Sequence, residues 1–334
     1  VSQTLVIGHA ETRELLDMRT CIDVMRNVFE ALAQDRVAQP LRNILWLSPG
    51  TAGIGMMPGA LHGEQIAGIK IVSVFPKNAG TNYESHQGAV LLFDVSNGYP
   101  LAIVDAGEIT RVRTAAVSGL ATRLLARDDA VSLAILGTGT QGFAHLEAML
   151  AVRMLKRIRV WDRQRASAER FAERGNAALG AQIDVVDTPD AAARDADIVC
   201  TTTGSREVIL RGVHLAAGAH VNAVGACVPT ARELDADAVR RSALFVDRRE
   251  SALREAGDFL LAKQEGAVDD QHIRAELGDV VTGKHAGRSS GDEITLFKSL
   301  GLAVEDVAAA HHVYQRAREL GRGTWIELAS LRTH

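Results

Sequence analysis

The chain has 334 residues, of which 47% are apolar, 23% charged and 4% aromatic; this globular composition allows two domains at about 150 residues each and needs no covalent staple to hold a core. Its 37 Lys and Arg against 41 Asp and Glu give a net charge of −4, which, with so few aromatic side chains, excludes the basic footprint and the stacking platforms of a nucleic-acid binder. Three cysteines, Cys21, Cys200 and Cys227, are odd in number and far apart; they exclude a disulfide framework and fit a reducing cytoplasm.

No targeting segment is expected, because the apolar run Leu5–Ile7 is short and Glu11 and Arg13 follow it. The helical spacing of Ile22, Met25, Val28, Phe29 and Leu32 predicts an amphipathic helix over Thr20–Ala33. The longest uncharged stretch, Asn43 to Gly63, contains Pro49, Pro58 and glycines at 50, 53, 55, 59 and 63, so it reads as strands and turns and not as a membrane span. Extended pieces are predicted at Asn43–Leu47, Ile54–Met57, Ile66–Phe75, Ala89–Asp94 and Leu101–Asp105. The last two flank Asn97-Gly98, a hairpin-turn pair, and together these strands predict an antiparallel sheet.

After Asp105 the pattern changes. Ile109–Leu125 is Ala-rich with helical spacing. Strand Ser132–Leu136 then leads to helix Gln141–Val152, strand Ile158–Trp161 to helix Ala166–Arg174, and strand Ile183–Val186 to a short helix, Pro189–Arg194. Strands Ile198–Thr201, His220–Val224 and Leu244–Val246 follow. This alternation predicts an α/β fold with a doubly wound parallel sheet. Leu296–Glu319 reads as helix and is assigned back to the first domain.

The first βα turn reads Gly137-Thr-Gly139-Thr-Gln-Gly142, a G-x-G-x-x-G loop between a strand and a helix. Gly137 permits a tight turn, Gly139 lets the backbone approach a pyrophosphate, and Gly142 lets helix and strand pack closely. The helix N-terminus then offers N–H groups and partial positive charge to the anion. Asp162, at the end of the next strand, stands where a carboxylate accepts ribose hydroxyls and repels a 2′-phosphate. Arg163 and Arg165 are placed to hold that phosphate instead, so the cofactor expected is NAD, with NADP the alternative. A solvated strand-end Asp162 is the bland reading.

From here the chain resembles the ornithine cyclodeaminase/mu-crystallin family over nearly its whole length. The matching segments are Gln39-Pro-Leu-Arg42, Gly55-x-Met-Pro58, Gly68-x-Lys70, Ser85-His-Gln87, Ile109-Thr-x-x-Arg113-Thr-Ala-Ala116, the glycine loop with Gln141, Val221-Asn-Ala-Val-Gly225, Arg232-Glu-Leu-Asp235, Glu255-x-Gly-Asp258 and Thr295-x-Phe-Lys-Ser-Leu-Gly301. The resemblance implies a homodimer. It implies a substrate-binding and dimerisation domain of residues 1–125 with 302–334, and a Rossmann NAD(P) domain of residues 126–301. It also implies hydride transfer between a nicotinamide and the α-carbon of an amino or imino acid. Expected cofactor contacts are Thr114, Thr140, Gln141, Arg163, Thr201, Thr202, Thr203, Val224 and Gly225, besides the loop glycines and Asp162. For the three threonines, ordinary strand ends are the competing reading.

An imino acid needs a cation clamp for its carboxylate and a proton donor for its nitrogen. Arg42 and Arg113 are the clamp candidates, since the guanidinium fork matches a carboxylate. Lys70 lies in an apolar strand, either facing solvent or buried with its pKa depressed and so usable as an acid; the resemblance places it at the substrate. His86 is either a substrate residue or a histidine holding backbone at a strand entry. Met57 is read as packing near the substrate. No zinc-type spacing of His and Cys is present, and no metal is expected.

One position departs from the cyclodeaminase pattern. Those enzymes carry an Asp six residues before the Glu of the Glu-Leu pair, where it binds the side-chain amine of ornithine. Here that position is Cys227, which gives no fixed charge at neutral pH. The expected enzyme is therefore an NAD(P)H-dependent reductase of small cyclic imino acids or an amino-acid dehydrogenase, with Lys70, Arg113 and Cys227 at the reaction centre. A true ornithine cyclodeaminase and a non-catalytic NADP-dependent binder of the mu-crystallin kind are the alternatives. Glu84 is the nearest carboxylate that could replace the missing Asp.

Overall fold

The computed structural model describes residues 3–48, 52–78 and 81–328; Pro49 and Gly50 of the uncharged stretch lie outside the described residues. The chain forms two compact units, Val1–Arg113 with Gly301–His334, and Thr114–Leu300. From sequence the division is expected after residue 125; it falls between Arg113 and Thr114, inside the helix Ala106–Leu125.

Sixteen strands are present among the described residues. In chain order these are β1 (Thr4–Ile7), β2 (Val37–Ala38), β3 (Asn43–Ser48), β4 (Ala52–Leu61), β5 (Ile66–Val74), β6 (His86–Asp94) and β7 (Pro100–Asp105). The second unit contributes β8 (Ser132–Leu136), β9 (Arg157–Trp161), β10 (Ile183–Val185), β11 (Ile198–Thr201), β12 (His220–Ala223), β13 (Ser242–Val246), β14 (Ile273–Glu276) and β15 (Ile294–Lys298). The last, β16 (Thr324–Ile326), belongs to the first unit.

The first unit is one sheet in the order β16-β1-β7-β6-β5-β4-β2, with β3 paired to β4. From β4 to β7 it is an antiparallel meander, as the hairpin signals predict. The whole sheet is mixed and not antiparallel throughout, because β1 lies parallel to β7. Pro58 stands inside β4, between the stretch paired with β3 and the stretch paired with β2. There its missing N–H costs no bond to an outer strand.

Burial alternates along β5, so Ile66, Gly68, Lys70 and Val72 share the covered face. The helix Ala303–Leu320 packs on β4 and β5. Gly59 and Gly68 face each other in register beneath it. A methyl at Gly59 would stand 3.1 Å from Val304 Cγ1, and one at Gly68 would stand 3.0 Å from Val307 Cγ2. The two bare positions therefore let the helix sit low on the strands, and its first turn is carried down toward Lys70. The helix Met18–Ala33 packs against this C-terminal helix, with Ile22, Met25 and Phe29 fully buried.

The second unit is an all-parallel sheet in the order β10-β9-β8-β11-β12-β15-β13-β14. Its first five strands in chain order lie 3-2-1-4-5, the arrangement of a dinucleotide-binding α/β sheet. One expectation is corrected here: Leu296–Lys298 is strand, not helix, and the C-terminal helix begins only at Ala303. β15 inserts between β12 and β13 and is buried along its length. A short apolar run buried on both faces loses the alternation that marks a strand, so periodicity alone does not separate it from helix. Among the described residues no helix is long and apolar enough to cross a membrane.

Asp197 staples two strand entries of this sheet. Its carboxylate accepts from Val131 N (3.0 Å), Ser132 N (3.0 Å) and Ser132 Oγ (2.7 Å), and pairs with Arg127 Nη2 at 2.7 Å. Partial burial raises its pKa, but these bonds together outweigh that effect and hold it below the usual Asp value. The folded form therefore favours the ionised group, and the stabilisation is present above the unfolded pKa and lost as pH falls through the folded one. Asp197→Ala is expected to lower urea stability by about 2–3 kcal/mol at neutral pH. The difference from wild type should shrink below about pH 4. A pH-independent difference would remove the ionised carboxylate from the account.

Candidate functional site

Sequence reasoning points to three cations 28 and 43 residues apart (70 − 42 and 113 − 70), and the fold brings them together within the first unit. Lys70 Nζ lies 2.7 Å from Asp306 Oδ2. Arg113 gives Nε to the other oxygen of Asp306 (2.9 Å) and Nη1 to Glu305 Oε2 (2.6 Å). Arg42 donates Nη2 to the carbonyl of Gly301, 3.3 Å away. Lys70, Arg113, Glu305 and Asp306 are all buried. The open question about Lys70 is settled by this geometry: it points to the covered face, beneath the first turn of the C-terminal helix.

Burial is the largest influence on Lys70 and lowers its pKa. Asp306 opposes that shift, while Arg113 and Arg42 add to it, and the balance leaves the ammonium at about 8. The same two carboxylates push the Arg113 guanidinium up despite its burial. Met57 is buried and lies opposite Lys70 in the β4–β5 register. His86 opens β6, with Nδ1 3.0 Å from Ser85 Oγ. His86 is exposed by surface area; partial desolvation by its neighbours, and then the charge of Lys70, lower its pKa, with Glu84 opposing.

In the second unit the glycine loop has the shape its sequence implies. Gly137 has φ +103°, which a side chain would strain. A methyl at Gly142 would lie 2.1 Å from Gly137 O, so only glycine allows this approach of helix to strand. At Gly139 a methyl would meet nothing within 4 Å. Gly139 caps the helix Thr140–Val152 with no side-chain bond to its first-turn amides. An open cradle above uncapped amides fits the pyrophosphate of a dinucleotide. Thr140 is exposed at the loop, Gln141 is half-buried and Thr114 is buried.

Asp162 is tied to that loop. Its Oδ2 accepts from Thr138 N (3.0 Å) and Oγ1 (2.8 Å), and its Oδ1 accepts from Gln164 N (2.9 Å). A carboxylate takes about four hydrogen bonds, so Oδ1 keeps room for a ribose hydroxyl. Arg163 is exposed beside it, whereas Arg165 is drawn off to Glu169 and Asp187.

The strand-end threonines are used internally. Thr201 and Thr203 give their hydroxyls to Glu233, and Thr202 gives its hydroxyl to Gly137 O at 3.0 Å. Val224 is buried and Gly225 is half-buried. The half-buried Cys227 donates its thiol to Val224 O (3.1 Å). Among the described residues no three His, Cys, Asp or Glu side chains are grouped to hold a metal ion.

Among the described residues seven buried charges were given no role from sequence: Glu108, Glu233, Asp247, Asp258, Lys298, Glu305 and Asp306. For Glu305 and Asp306 a signal was present in the apolar residues that flank them. Leu302-Ala-Val-Glu305-Asp306-Val-Ala-Ala-Ala310 puts two adjacent carboxylates on an otherwise apolar helix start, and such charges are rarely buried unless paired.

Removing one side of this cluster leaves a cation uncompensated. Asp306→Ala is expected to cost about 3–5 kcal/mol in urea unfolding, as for other buried pairs that lose a partner. A loss under about 1 kcal/mol would mean that Lys70 and Arg113 find other partners or water.

Residues 2–321 match the family model for the ornithine cyclodeaminase/mu-crystallin family. A Delta(1)-pyrroline-2-carboxylate reductase of Bacillus cereus is 36% identical over 97% of this chain and 99% of its own length. The ketimine reductase mu-crystallin of Mus musculus is 40% identical over 83% of this chain and 85% of its own. The solved structure of Thermococcus litoralis Delta(1)-pyrroline-2-carboxylate reductase in complex with NADH and L-proline superposes with a TM-score of 0.94. It has 36% identity and covers 96% of this chain and 99% of that one. The chain belongs to the ornithine cyclodeaminase/mu-crystallin family.

Proposed function

We propose that the protein is an NAD(P)H-dependent oxidoreductase that reduces the C=N bond of a small imino acid, with cyclic ketimine carboxylates as the substrate class. The observation that carries this reading is the buried cluster of Lys70, Arg113, Glu305 and Asp306, in a chain whose relatives are named for reduction of such imines. NADH or NADPH, when bound, supplies the hydride. The chain supplies the rest. Arg42 and Arg113 hold the substrate carboxylate, and Arg113 is kept rigid and charged by its two acids. Lys70, as the ammonium, gives a proton to the imine nitrogen while the α-carbon takes the hydride, so C=N becomes CH–NH. A lysine lowered to about 8 is a stronger acid than one in water, which favours this transfer.

Cys227 favours reduction over ornithine cyclodeamination. Its thiol proton is shared with Val224 O, the state of a neutral thiol, and a neutral thiol neither binds nor deprotonates a side-chain amine. The carboxylate of Asp162 favours NADH, with exposed Arg163 as the feature that would admit NADPH. Homodimer formation is proposed through the first unit's sheet, where Leu45, Trp46 and Leu47 of β3 are each about half exposed. Such a run of apolar side chains on one strand calls for a cover.

Four measurements test this reading. NADH oxidation with pyrroline- and piperideine-2-carboxylate is expected to proceed, with kcat/KM falling above pH 8 as Lys70 loses its proton and falling about 100-fold or more in Lys70→Met. Ammonia and proline formed from ornithine and NAD would overturn the assignment. Wild type is expected to bind NADH more tightly than NADPH, and Asp162→Ala to narrow that preference; a wild type that prefers NADPH would give the selection to Arg163. Sedimentation at micromolar concentration is expected to show a dimer, and a monomer would remove β3 as an interface.

A further inference from the structure

Three of the matching sequence segments, those with Glu233, Asp258 and Lys298, have no part in the chemistry above. In the structure they meet at one carboxylate. Glu233 is completely buried. Its Oε1 accepts from Thr203 N and Thr203 Oγ1, both at 2.7 Å. Its Oε2 accepts from Thr201 Oγ1 and Gly225 N, both at 2.8 Å. These four bonds use the acceptor capacity of a carboxylate, so Glu233 keeps nothing for a ligand. What it does is hold the segments leaving β11 and β12 together. The approach is close: a methyl at Gly225 would stand 2.1 Å from Thr203 O and 2.6 Å from the Glu233 carboxyl carbon.

Glu233 is itself fixed from behind. Asp258 Oδ1 accepts from the backbone N–H of Glu233 (2.7 Å) and of Leu234 (3.0 Å). Asp258 Oδ2 pairs with Lys298 Nζ at 3.0 Å, and both side chains are buried. Lys298 ends β15, the strand beside β12. One buried cation thus stands against two buried carboxylates.

In a parallel sheet of this order a dinucleotide lies outside the carboxyl ends of the strands, across the point where strand order reverses. Here that point falls between β8 and β11. The glycine loop and Asp162 belong to the β8–β9 side, and Thr203 and Gly225 to the β11–β12 side. We propose that Glu233 is the positioning residue for the nicotinamide half of the cofactor: it sets the backbone at Thr203 and Gly225 without touching the cofactor, and Asp258 with Lys298 sets Glu233. This rests on the reading that the chain binds NAD(H). The hydroxyls of Thr201 and Thr203 are then parts of the grip, not cofactor ligands.

The test compares binding of NADH and of ADP-ribose, which lacks the nicotinamide, to wild type, Glu233→Gln and Thr203→Val by titration calorimetry. Gln turns one carboxylate oxygen into a donor that faces another donor, so NADH affinity is expected to fall about tenfold or more, with ADP-ribose within about twofold of wild type. Thr203→Val removes one of the four bonds to Glu233 and keeps the backbone one, so its NADH affinity is expected to fall about threefold, less than in Glu233→Gln, with ADP-ribose within about twofold of wild type. An unchanged NADH affinity in Glu233→Gln overturns the proposal, and so does an equal loss for both ligands, which would be a general structural effect. A loss in Thr203→Val as large as that expected of Glu233→Gln overturns it too, because the hydroxyl would then touch the cofactor. That variant decides the matter alone if Glu233→Gln does not fold. A wild type that binds neither ligand overturns the cofactor reading and this proposal with it; a wild type that binds both separates the two.

Discussion

Burying Lys70 is the constraint around which the first unit is arranged. An ammonium away from water carries a desolvation cost of several kcal/mol, which only a close partner with good geometry offsets. The partner comes from the far end of the chain, on a helix that closes over β4 and β5. For Asp306 to reach Lys70 the helix must sit low, and the paired glycines at 59 and 68 permit that. Arg113 shares Asp306 and brings in Glu305. Sheet face, helix seat and charge cluster are therefore one solution to one electrostatic problem. The Lys70 pKa follows from it: burial lowers it, Asp306 restores part of the loss, and the neighbouring guanidinium groups keep the restoration incomplete.

Much of this fold was legible in the sequence wherever a local pattern carried the information. The glycine loop, the helix behind it and strands β8 to β12 stand within a few residues of where apolar runs and turn residues put them. β15 was not legible, because Ile294–Lys298 is covered on both faces and its apolar run has no period to read. The parallel pairing of β1 with β7 was hidden for a different reason. It joins segments about a hundred residues apart, and no local signal encodes such a contact.

The candidate site was legible in its cations and not in its anions. Arg42, Lys70 and Arg113 stand out because each sits in a motif or an apolar strand. Glu305 and Asp306 look like ordinary helix-start acids, a placement common on exposed helices. The apolar residues around them hint that this helix start is buried, and the fold shows it. Asp162 shows the reverse case. Its position relative to the glycine loop was readable from spacing, but its bonds to Thr138 and Gln164 were not. Those bonds fix the carboxylate and leave it less free to adapt to a ligand.

Each unit carries a buried lysine, and the same device stabilises both. Lys70 meets Asp306 in the first turn of Ala303–Leu320, and Lys298 meets Asp258 in the first turn of Gly257–Gln264. A helix start offers uncapped N–H groups and partial positive charge, which favour a carboxylate at that place. The ion pair is then formed from an anion already stabilised, which lowers the net cost of burying both charges. The consequences differ with what surrounds each pair. Around Lys70 burial lowers the pKa, and the other cations add to that shift against Asp306, bringing it into a range where a proton can be exchanged. Around Lys298 burial lowers the pKa, but the carboxylates of Asp258 and Glu233 oppose it, and the balance lies above the ordinary value. A lysine held charged in this way is unsuited to proton transfer and suited to holding structure. The same residue type, buried against the same kind of helix start, is thus directed toward chemistry in one unit and toward positioning in the other by the sign of the charges around it.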